Sequence, residues 1–254
     1  MNTRILFLIL FILAIPAAQA LTGKETIALL GDSQTWIGGD NCEKETGWSH
    51  HLKTAFPTCK IDTYARSGAT WTNTPQTKGD TEAYYAVLNN ENVIYNQALR
   101  LIKAVQRGQK PVPDIIVLFA GGNDAMFPRR RPGMFNEKKL PSGSVKNLKP
   151  SQFTTLASSI ELTCRLLKES FPKARLVLVT PTHMSKATPE SVKNVSITIE
   201  KTCKKLSMPV LRADLNDGIS HEIEKIKPHK FTYDGIHTNP AGARLLAEYI
   251  IKNL

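Results

Sequence analysis

Hydrophobic and polar residues show two different spacing patterns along the chain. Short, continuous apolar runs end abruptly at glycine, proline or polar turn residues, which is the pattern of strands buried on both faces of a parallel sheet. The clearest of these runs are residues 27–30 and 115–120. With three weaker segments they predict five strands, at residues 27–30, 60–64, 115–120, 175–180 and 209–213.

Between the apolar runs, hydrophobic residues recur at helical spacing. This spacing predicts helices over residues 46–56, 81–107 with a break at 89–92, 151–171, 189–206, 218–225 and from 239 onward. Strands that alternate with helices form a parallel sheet covered on both faces. The pattern therefore predicts an α/β fold, a three-layer α/β/α sandwich around a five-stranded parallel sheet. Residues 127–150 are polar, and we interpret them as an insertion near the functional site.

The first twenty residues have the form of a secretory signal peptide. Arg4 supplies the positive start, residues 5–15 are apolar, and Ala18-Gln19-Ala20 is a small-residue cleavage site before Leu21. The apolar part is shorter than the roughly 20 residues that a membrane helix needs, and no later stretch is long and apolar enough. We therefore expect a secreted or periplasmic protein with no stable membrane insertion after cleavage, and an uncleaved anchor is the alternative. Residues 21–254 suit a single domain.

The chain is basic. Its 33 Lys and Arg residues against 22 Asp and Glu residues give a formal charge of +11, which becomes +10 once Arg4 is removed. This balance favours contact with acidic polymers, acidic glycans or anionic lipid surfaces, although it also serves solubility alone. No nucleic-acid-binding motif accompanies the charge, so we expect no nucleic-acid partner. Oligomeric state is left open by the sequence.

Four cysteines, an even number, follow the predicted cleavage site. In an exported chain they are compatible with two disulfides, for which three pairings exist. Proximity in the sequence favours Cys42–Cys59 and Cys164–Cys203. No Cys/His cluster has zinc-site spacing, so we expect no metal.

Chemically useful residues follow the predicted strands. Ser33, Gly68 and Asn123 come after the first, second and third strands, and Asp234 and His237 precede the last helix. In a doubly wound parallel sheet these positions lie at the same edge. A serine hydroxyl becomes a nucleophile when an imidazole takes its proton, and a carboxylate orients that imidazole. Backbone N–H groups and a side-chain amide can stabilise the oxyanion that forms, so the set predicts acyl transfer.

The segments around these residues resemble the SGNH (GDSL-type) hydrolase family, which has a flavodoxin-like fold. The four matching blocks occur in family order: Gly31-Asp32-Ser33, Ser67-Gly68-Ala69-Thr70, Gly121-Gly122-Asn123-Asp124 and Asp234-Gly235-Ile236-His237.

The resemblance implies a role for each matched residue. Ser33 would be the nucleophile, His237 the general base and Asp234 its partner. Ser33, Gly68 and Asn123 would form the oxyanion hole, and no cofactor or metal is implied. The chain departs from the family at Gln34, where leucine is frequent, and at Thr63, where asparagine is frequent.

Several further residues are candidates for substrate contact. Trp36 and Trp71 are suited either to stacking on a sugar ring or to packing in the interior. The run Arg129-Arg130-Arg131 directly follows the Asn123 block, so it is a candidate for binding an anionic substrate, with a solvated surface as the alternative. His183 follows the fourth strand at the edge of the site.

Other acidic residues near the blocks have plainer interpretations. Asp32 and Asp124 are expected to bind loop backbone. Asp214 and Asp217 are rivals of Asp234 for the role of partner to His237.

The sequence as a whole predicts a secreted serine esterase that acts on small acyl esters through an acyl-enzyme. Export, charge and the family resemblance favour an O-acetyl group on a carbohydrate. The alternatives are a lysophospholipase or short-chain lipid esterase, an O-acyltransferase with the same triad, and a non-catalytic glycan-binding relative. Natural substrate and acyl-chain length are left open.

Overall fold

Five parallel strands in the order β2-β1-β3-β4-β5 form the centre of the protein in a computed structural model that describes residues 21–82 and 84–254. This is the strand order of flavodoxin-type doubly wound sheets. The predicted α/β fold is therefore confirmed, whereas the predicted signal peptide lies outside the described residues. The strands are β1 (Thr26–Gly31), β2 (Lys60–Thr63), β3 (Ile115–Phe119), β4 (Arg175–Val179) and β5 (Val210–Leu211).

Two hydrophobic cores lie on opposite faces of this sheet. In β1, Ala28 and Leu30 belong to one core, while Ile27 and Leu29 belong to the other. Successive side chains of a strand point to opposite faces, so an uninterrupted apolar run serves both. The first core is covered by α3 (Ile94–Gln106), α5 (Leu156–Ser170) and α6 (Pro189–Lys205), and the second by α2 (Trp48–Ala55) and α9 (Pro240–Asn253).

Short helices occupy the loops at the edges of the sheet. Two of them, α1 and α4, begin within two or three residues of the ends of β1 and β3, in segments that the sequence pattern predicted as loops. The short helices are α1 (Ser33–Trp36), α4 (Gly122–Met126), α7 (Ala213–Asn216) and α8 (His221–Glu224).

Helix α3 begins later than predicted. The pattern predicted a mostly helical segment from residue 81, but the helix starts at Ile94. Asn89 Oδ1 accepts hydrogen bonds from the backbone N–H groups of Glu91 and Asn92, at 2.7 and 2.8 Å. Such side-chain bonds compete with helix formation. The preceding residues instead form an irregular segment whose Val87–Leu88 backbone lies against Gly68.

Helix α5 also starts several residues after its predicted beginning. A 3₁₀ turn at Pro150–Gln152 precedes it, and Thr155 is the N-cap. Thr155 Oγ1 accepts from the N–H of Ser158 at 3.3 Å, and the Ser158 hydroxyl returns a bond to the cap backbone. This capping box satisfies N–H groups that would otherwise lack partners.

The polar insertion at residues 127–150 packs along α5. Met134 and Val145 are buried in the core. The Glu169 carboxylate on α5 accepts from Ser144 Oγ at 2.6 Å and from the Val145 N–H at 2.9 Å. These contacts anchor the insertion to the body of the protein.

The expected disulfides are not present. All four cysteines are free and buried. Cys59 Sγ lies 3.5 Å from Glu25 Oε2 rather than bonded to Cys42. Cys164 and Cys203, on α5 and α6, are near neighbours, and burial raises the pKa of both thiols, that of Cys203 to about 12. Buried thiols of this kind behave as small apolar core residues.

Across residues 21–82 and 84–254, none of the helices combines the length and the apolar character required to cross a bilayer.

Candidate active site

Asp234 and His237 are hydrogen-bonded to each other in the loop before α9. Asp234 Oδ2 lies 2.9 Å from His237 Nδ1, and its Oδ1 accepts the backbone N–H groups of Ile236 and His237 at 2.9 and 2.8 Å. Partial burial raises the pKa of Asp234, but these bonds outweigh it and the pKa is lowered. The carboxylate is therefore ionised near neutral pH and accepts the Nδ1 proton, which leaves Nε2 as the basic nitrogen.

Ser33 is the first residue of α1, immediately beyond β1, and is 4% exposed. Asp32 caps this helix: its Oδ1 accepts the N–H of Gln34 at 3.0 Å, and its Oδ2 accepts the N–H of Gly122 at 3.1 Å. The Asp32 carboxylate thus joins the first block to the third, as expected of a residue that binds loop backbone. Burial raises the pKa of Asp32 to about 6, and this effect outweighs the bonds from Gln34 and Gly122, which lower the pKa.

Three N–H donors lie in the segments that follow β1, β2 and β3. Asn123 Nδ2 donates one hydrogen to Ala69 O at 2.9 Å, which leaves its second hydrogen available. Within the described residues, the backbone N–H groups of Ser33 and Gly68 donate to no protein acceptor. Gly68 has φ +78°, and a Cβ there would lie 2.5 Å from backbone atoms of Val87 and Leu88, so the loop requires glycine.

Within the part of the chain that is described, no hydrogen bond joins Ser33 Oγ to the His237 ring. In a protein without substrate, catalytic hydrogen bonds are often long and tighten only when substrate binds.

Asp124 binds loop backbone, as predicted. Its carboxylate accepts from the N–H groups of Trp71 and Thr72 at 2.9 and 3.0 Å, and from Thr72 Oγ1 at 2.6 Å. The residue is fully buried. It fixes the Gly68-containing segment against α4, so the second and third blocks form one unit.

The two tryptophans have different environments. Trp71 is fully buried, and its Nε1 donates to Ala120 O at 3.1 Å, so it packs in the core and offers no stacking surface. Trp36, at the end of α1, is half-buried and retains an accessible part.

The three arginines at 129–131 also differ in exposure. Arg129 and Arg130 are exposed, whereas Arg131 is 6% exposed. The Arg131 guanidinium donates to Thr72 O at 3.2 Å, to Thr70 Oγ1 at 3.2 Å and to Asn89 O at 3.1 Å. Contrary to the substrate-binding expectation, Arg131 ties two loops together.

Asp214 and Asp217 do not compete with Asp234. Asp214 accepts from Arg212 Nε and Nη2 at 2.8 and 2.7 Å and from Thr180 Oγ1 at 2.7 Å. Asp217 accepts the N–H of Ile219 at 2.9 Å. His183 is half-buried beside Asp214, and burial lowers the pKa of His183 despite the opposing charge of that carboxylate.

Two glutamines of the site were missed by the sequence analysis. Gln97 Oε1 accepts the N–H of Gly31 and its Nε2 donates to Gly31 O, both at 2.8 Å, so it fixes the end of β1 from α3. Gln34 Nε2 donates to Ile236 O in the histidine loop. A polar residue on the buried face of an amphipathic helix is a signal that could have identified Gln97.

No metal site accompanies these groups. Among residues 21–82 and 84–254, no three His, Cys, Asp or Glu side chains are arranged to hold a metal ion.

Comparison of the sequence with models of known protein families shows which family the chain belongs to. A model of the GDSL-like lipase/acylhydrolase family matches residues 27–250. The chain belongs to this family. The GDSL-like lipases and acylhydrolases are ester hydrolases, so this member is an enzyme of the esterase class.

Solved structures of low sequence identity share the GDSL-like fold. A Parabacteroides merdae protein described as a GDSL-like lipase is 15% identical, with a TM-score of 0.58 over 94% of this chain and 98% of that one. TesA is 15% identical, with a TM-score of 0.54 over 91% and 98%. A Lactobacillus plantarum protein is 17% identical, with a TM-score of 0.59 over 90% and 95%. A search of curated proteins finds no match to the chain.

The buried carboxyl of Asp217 makes stability depend on pH. Burial raises the pKa of Asp217 to about 7, against an unfolded value of about 3.9. A carboxyl whose pKa is raised by folding favours the folded state below the unfolded pKa, and this contribution is lost as pH rises through 7.

Asp217→Asn is therefore expected to increase the free energy of unfolding by on the order of 3 kcal/mol at pH 8 and hardly at all at pH 4. Denaturant titrations at both pH values measure this, with the exposed Asp80→Asn as a control that follows the wild type. An equal effect of Asp217→Asn at the two pH values contradicts the prediction.

Proposed function

We propose that the protein hydrolyses small acyl esters through a covalent acyl-enzyme on Ser33, with His237 as general base and Asp234 as its partner. The observation that carries the proposal is the 2.9 Å contact between Asp234 Oδ2 and His237 Nδ1, at the sheet edge that also carries Ser33. A nucleophile, a base and an orienting acid are the groups that acyl transfer requires.

In the acylation step, His237 Nε2 takes the proton of Ser33 Oγ as the oxygen attacks the ester carbonyl carbon. The negative charge moves to the carbonyl oxygen, which the N–H groups of Ser33 and Gly68 and the Asn123 amide stabilise. Collapse of this intermediate breaks the ester bond, and His237 returns the proton to the departing alcohol. Asp234 stabilises the imidazolium throughout.

In the deacylation step, water takes the place of the alcohol. His237 removes a proton from the water as its oxygen attacks the acyl-enzyme, and the same three donors stabilise the second oxyanion. The proton then returns to Ser33 Oγ, and the carboxylic acid departs. Neither step needs a metal or a cofactor.

We further propose that the ester is an O-acetyl group on a carbohydrate outside the cytoplasm. Aromatic side chains stack on sugar rings, and several are exposed on loops that follow the carboxyl ends of the strands. These are Tyr85, Phe127, Phe135 and Tyr233, in addition to the half-buried Trp36. The exposed Arg129 and Arg130 would favour an acidic glycan over a neutral one.

The alternatives differ from this proposal in acyl chain or acceptor. The exposed Val87, and the exposed Ile226 between Lys225 and Lys227, also suit a lysophospholipid or short-chain lipid ester. Transfer of the acyl group to a sugar hydroxyl instead of water would use the same residues. A non-catalytic glycan-binding protein would have no use for the Asp234–His237 pair.

Hydrolysis of p-nitrophenyl esters from acetate to longer chains tests the proposal. We expect the highest kcat/KM for the acetate ester, because the proposed substrate carries a two-carbon acyl group. In a second assay, we expect the enzyme to release acetate from O-acetylated glycans. A maximum at longer chains would replace the carbohydrate proposal with the lipid one. Turnover that appears only when a sugar acceptor is added would identify an acyltransferase, and binding of glycan without any turnover would identify the non-catalytic relative.

A further inference from the structure

Gln34 connects the segment that bears Ser33 to the loop that bears His237. It follows Ser33 directly, and its side-chain Nε2 donates to the carbonyl oxygen of Ile236, a residue 202 positions away. Within residues 21–82 and 84–254, this is the hydrogen bond that joins α1 to the 232–238 loop. The side chain is 3% exposed, so water does not compete for the contact.

The contacted carbonyl belongs to the peptide unit that leads into His237. The N–H of that same unit is the backbone N–H of His237, which donates to Asp234 Oδ1 at 2.8 Å. The unit is therefore held at both ends, by Gln34 at its oxygen and by Asp234 at its nitrogen. A peptide unit is planar, so these two contacts set its orientation and with it the direction in which the His237 side chain leaves the backbone.

The other end of the Gln34 amide makes no hydrogen bond to the described part of the protein. Its Oε1 is buried and has no hydrogen-bond partner among the described residues. A buried acceptor without a partner lowers the stability of the folded state, and an apolar side chain of the same length would avoid that cost. Sites that lower stability are characteristic of functional positions.

We infer that Gln34 is a positioning residue, whose hydrogen bond to Ile236 O holds the imidazole of His237 in register with Ser33. The inference rests on the proposed serine mechanism, because it concerns the geometry between its nucleophile and its base. Ser33 Oγ and His237 are not hydrogen-bonded in the structure, so their alignment depends on how the two backbone segments are held together. Gln34 adjoins Ser33 in one segment and contacts the peptide unit of His237 in the other.

Gln34→Met separates positioning from packing. Methionine has a similar length and shape but cannot donate to Ile236 O. We expect kcat for p-nitrophenyl acetate to fall roughly 10- to 100-fold with little change in KM, since small displacements of reacting groups have effects of this size. Tm is expected to change little, because removal of the unpartnered Oε1 offsets the loss of the donor to Ile236 O.

Thr35→Val is the matched control in the same helix. Thr35 is fully buried, and its Oγ1 accepts from Trp48 Nε1 at 3.1 Å, away from the histidine loop. This variant is expected to show the opposite pattern, a lower Tm with an unchanged kcat for the folded enzyme.

Gln34→Glu supplies a pH-dependent readout that packing alone would not move. A protonated glutamic acid can donate to Ile236 O, whereas the carboxylate repels it. The kcat of this variant relative to wild type is therefore expected to recover as pH falls from about 8 to about 5, since burial favours the protonated acid. The surrounding titratable groups, Asp32, Asp234 and His237, are present in both enzymes and act on both.

The outcomes distinguish this inference from the proposed mechanism. Wild-type kcat in Gln34→Met, or a Gln34→Glu ratio that does not change with pH, overturns the positioning role, provided that Ser33→Ala is inactive. If Ser33→Ala retains wild-type turnover, the serine mechanism itself fails. A fall in kcat that simply tracks a fall in Tm, as in a destabilised enzyme, also overturns the inference.

Discussion

Ser33→Ala is expected to lower kcat for p-nitrophenyl acetate by roughly 10⁴-fold or more, which leaves only the contribution of the oxyanion donors and substrate binding. The variant removes one oxygen, and with it the atom that forms the acyl-enzyme. Ser33 Oγ makes no hydrogen bond to the protein within the described residues, so its loss should leave Tm unchanged. Steady-state kinetics and thermal unfolding measure the two effects.

A mass measurement during turnover supplies the control for this prediction. Wild type mixed with a slowly hydrolysed ester should gain the mass of one acyl group, and Ser33→Ala should gain none. An alanine variant that keeps most of its activity, or still acquires the acyl group, would place the nucleophile elsewhere.

Asp234→Asn is expected to lower kcat by roughly 10³- to 10⁴-fold with no loss of folding. The physical reason lies in the two oxygens of the native carboxylate. Oδ1 accepts two backbone N–H groups, so an asparagine would keep its oxygen there and turn its NH₂ toward His237 Nδ1. His237 would then carry its proton on Nε2, and this tautomer cannot accept the proton of Ser33.

A double-variant cycle makes this prediction specific to the pair. Because Asp234 acts only through His237, the double variant Asp234→Asn/His237→Ala should be no less active than His237→Ala alone. Additive losses would show that Asp234 acts on substrate by itself. Proton NMR gives a direct check. The resonance of the His237 Nδ1 proton, which the wild-type imidazole donates to Asp234, should be absent in Asp234→Asn.

The buried positions show why the roles of some candidate residues could not be decided from sequence. Trp71 and Arg131 belong to residue types that often bind substrate at a surface, and both lie in segments close to the candidate blocks. Yet Trp71 donates to Ala120 O in the core, and Arg131 binds Thr72 O and Asn89 O. Burial depends on which distant segments cover a residue, and local spacing carries no information about that.

The late start of α3 has a local cause that periodicity does not reveal. Tyr84, Tyr85 and Val87 have helical spacing in the sequence but are exposed in an irregular segment. The Asn89 side chain binds backbone N–H groups there and forms a turn. Hydrophobic spacing predicts which face a helix would bury, but it does not weigh the helix against such side-chain competitors.

The sequence by itself determined the layer architecture, the five strands and the four blocks of candidate catalytic residues. Continuous apolar runs can be satisfied only inside a covered sheet, and residues that follow parallel strands must meet at one edge. Only the tertiary structure decided which side chains touch. The Asp234–His237 bond, the Asp32 contact to Gly122 and the Gln34 contact to Ile236 all depend on the final path of loops that are distant in sequence or tightly turned. The partners of such contacts are set by three-dimensional neighbourhood and cannot be deduced from order along the chain.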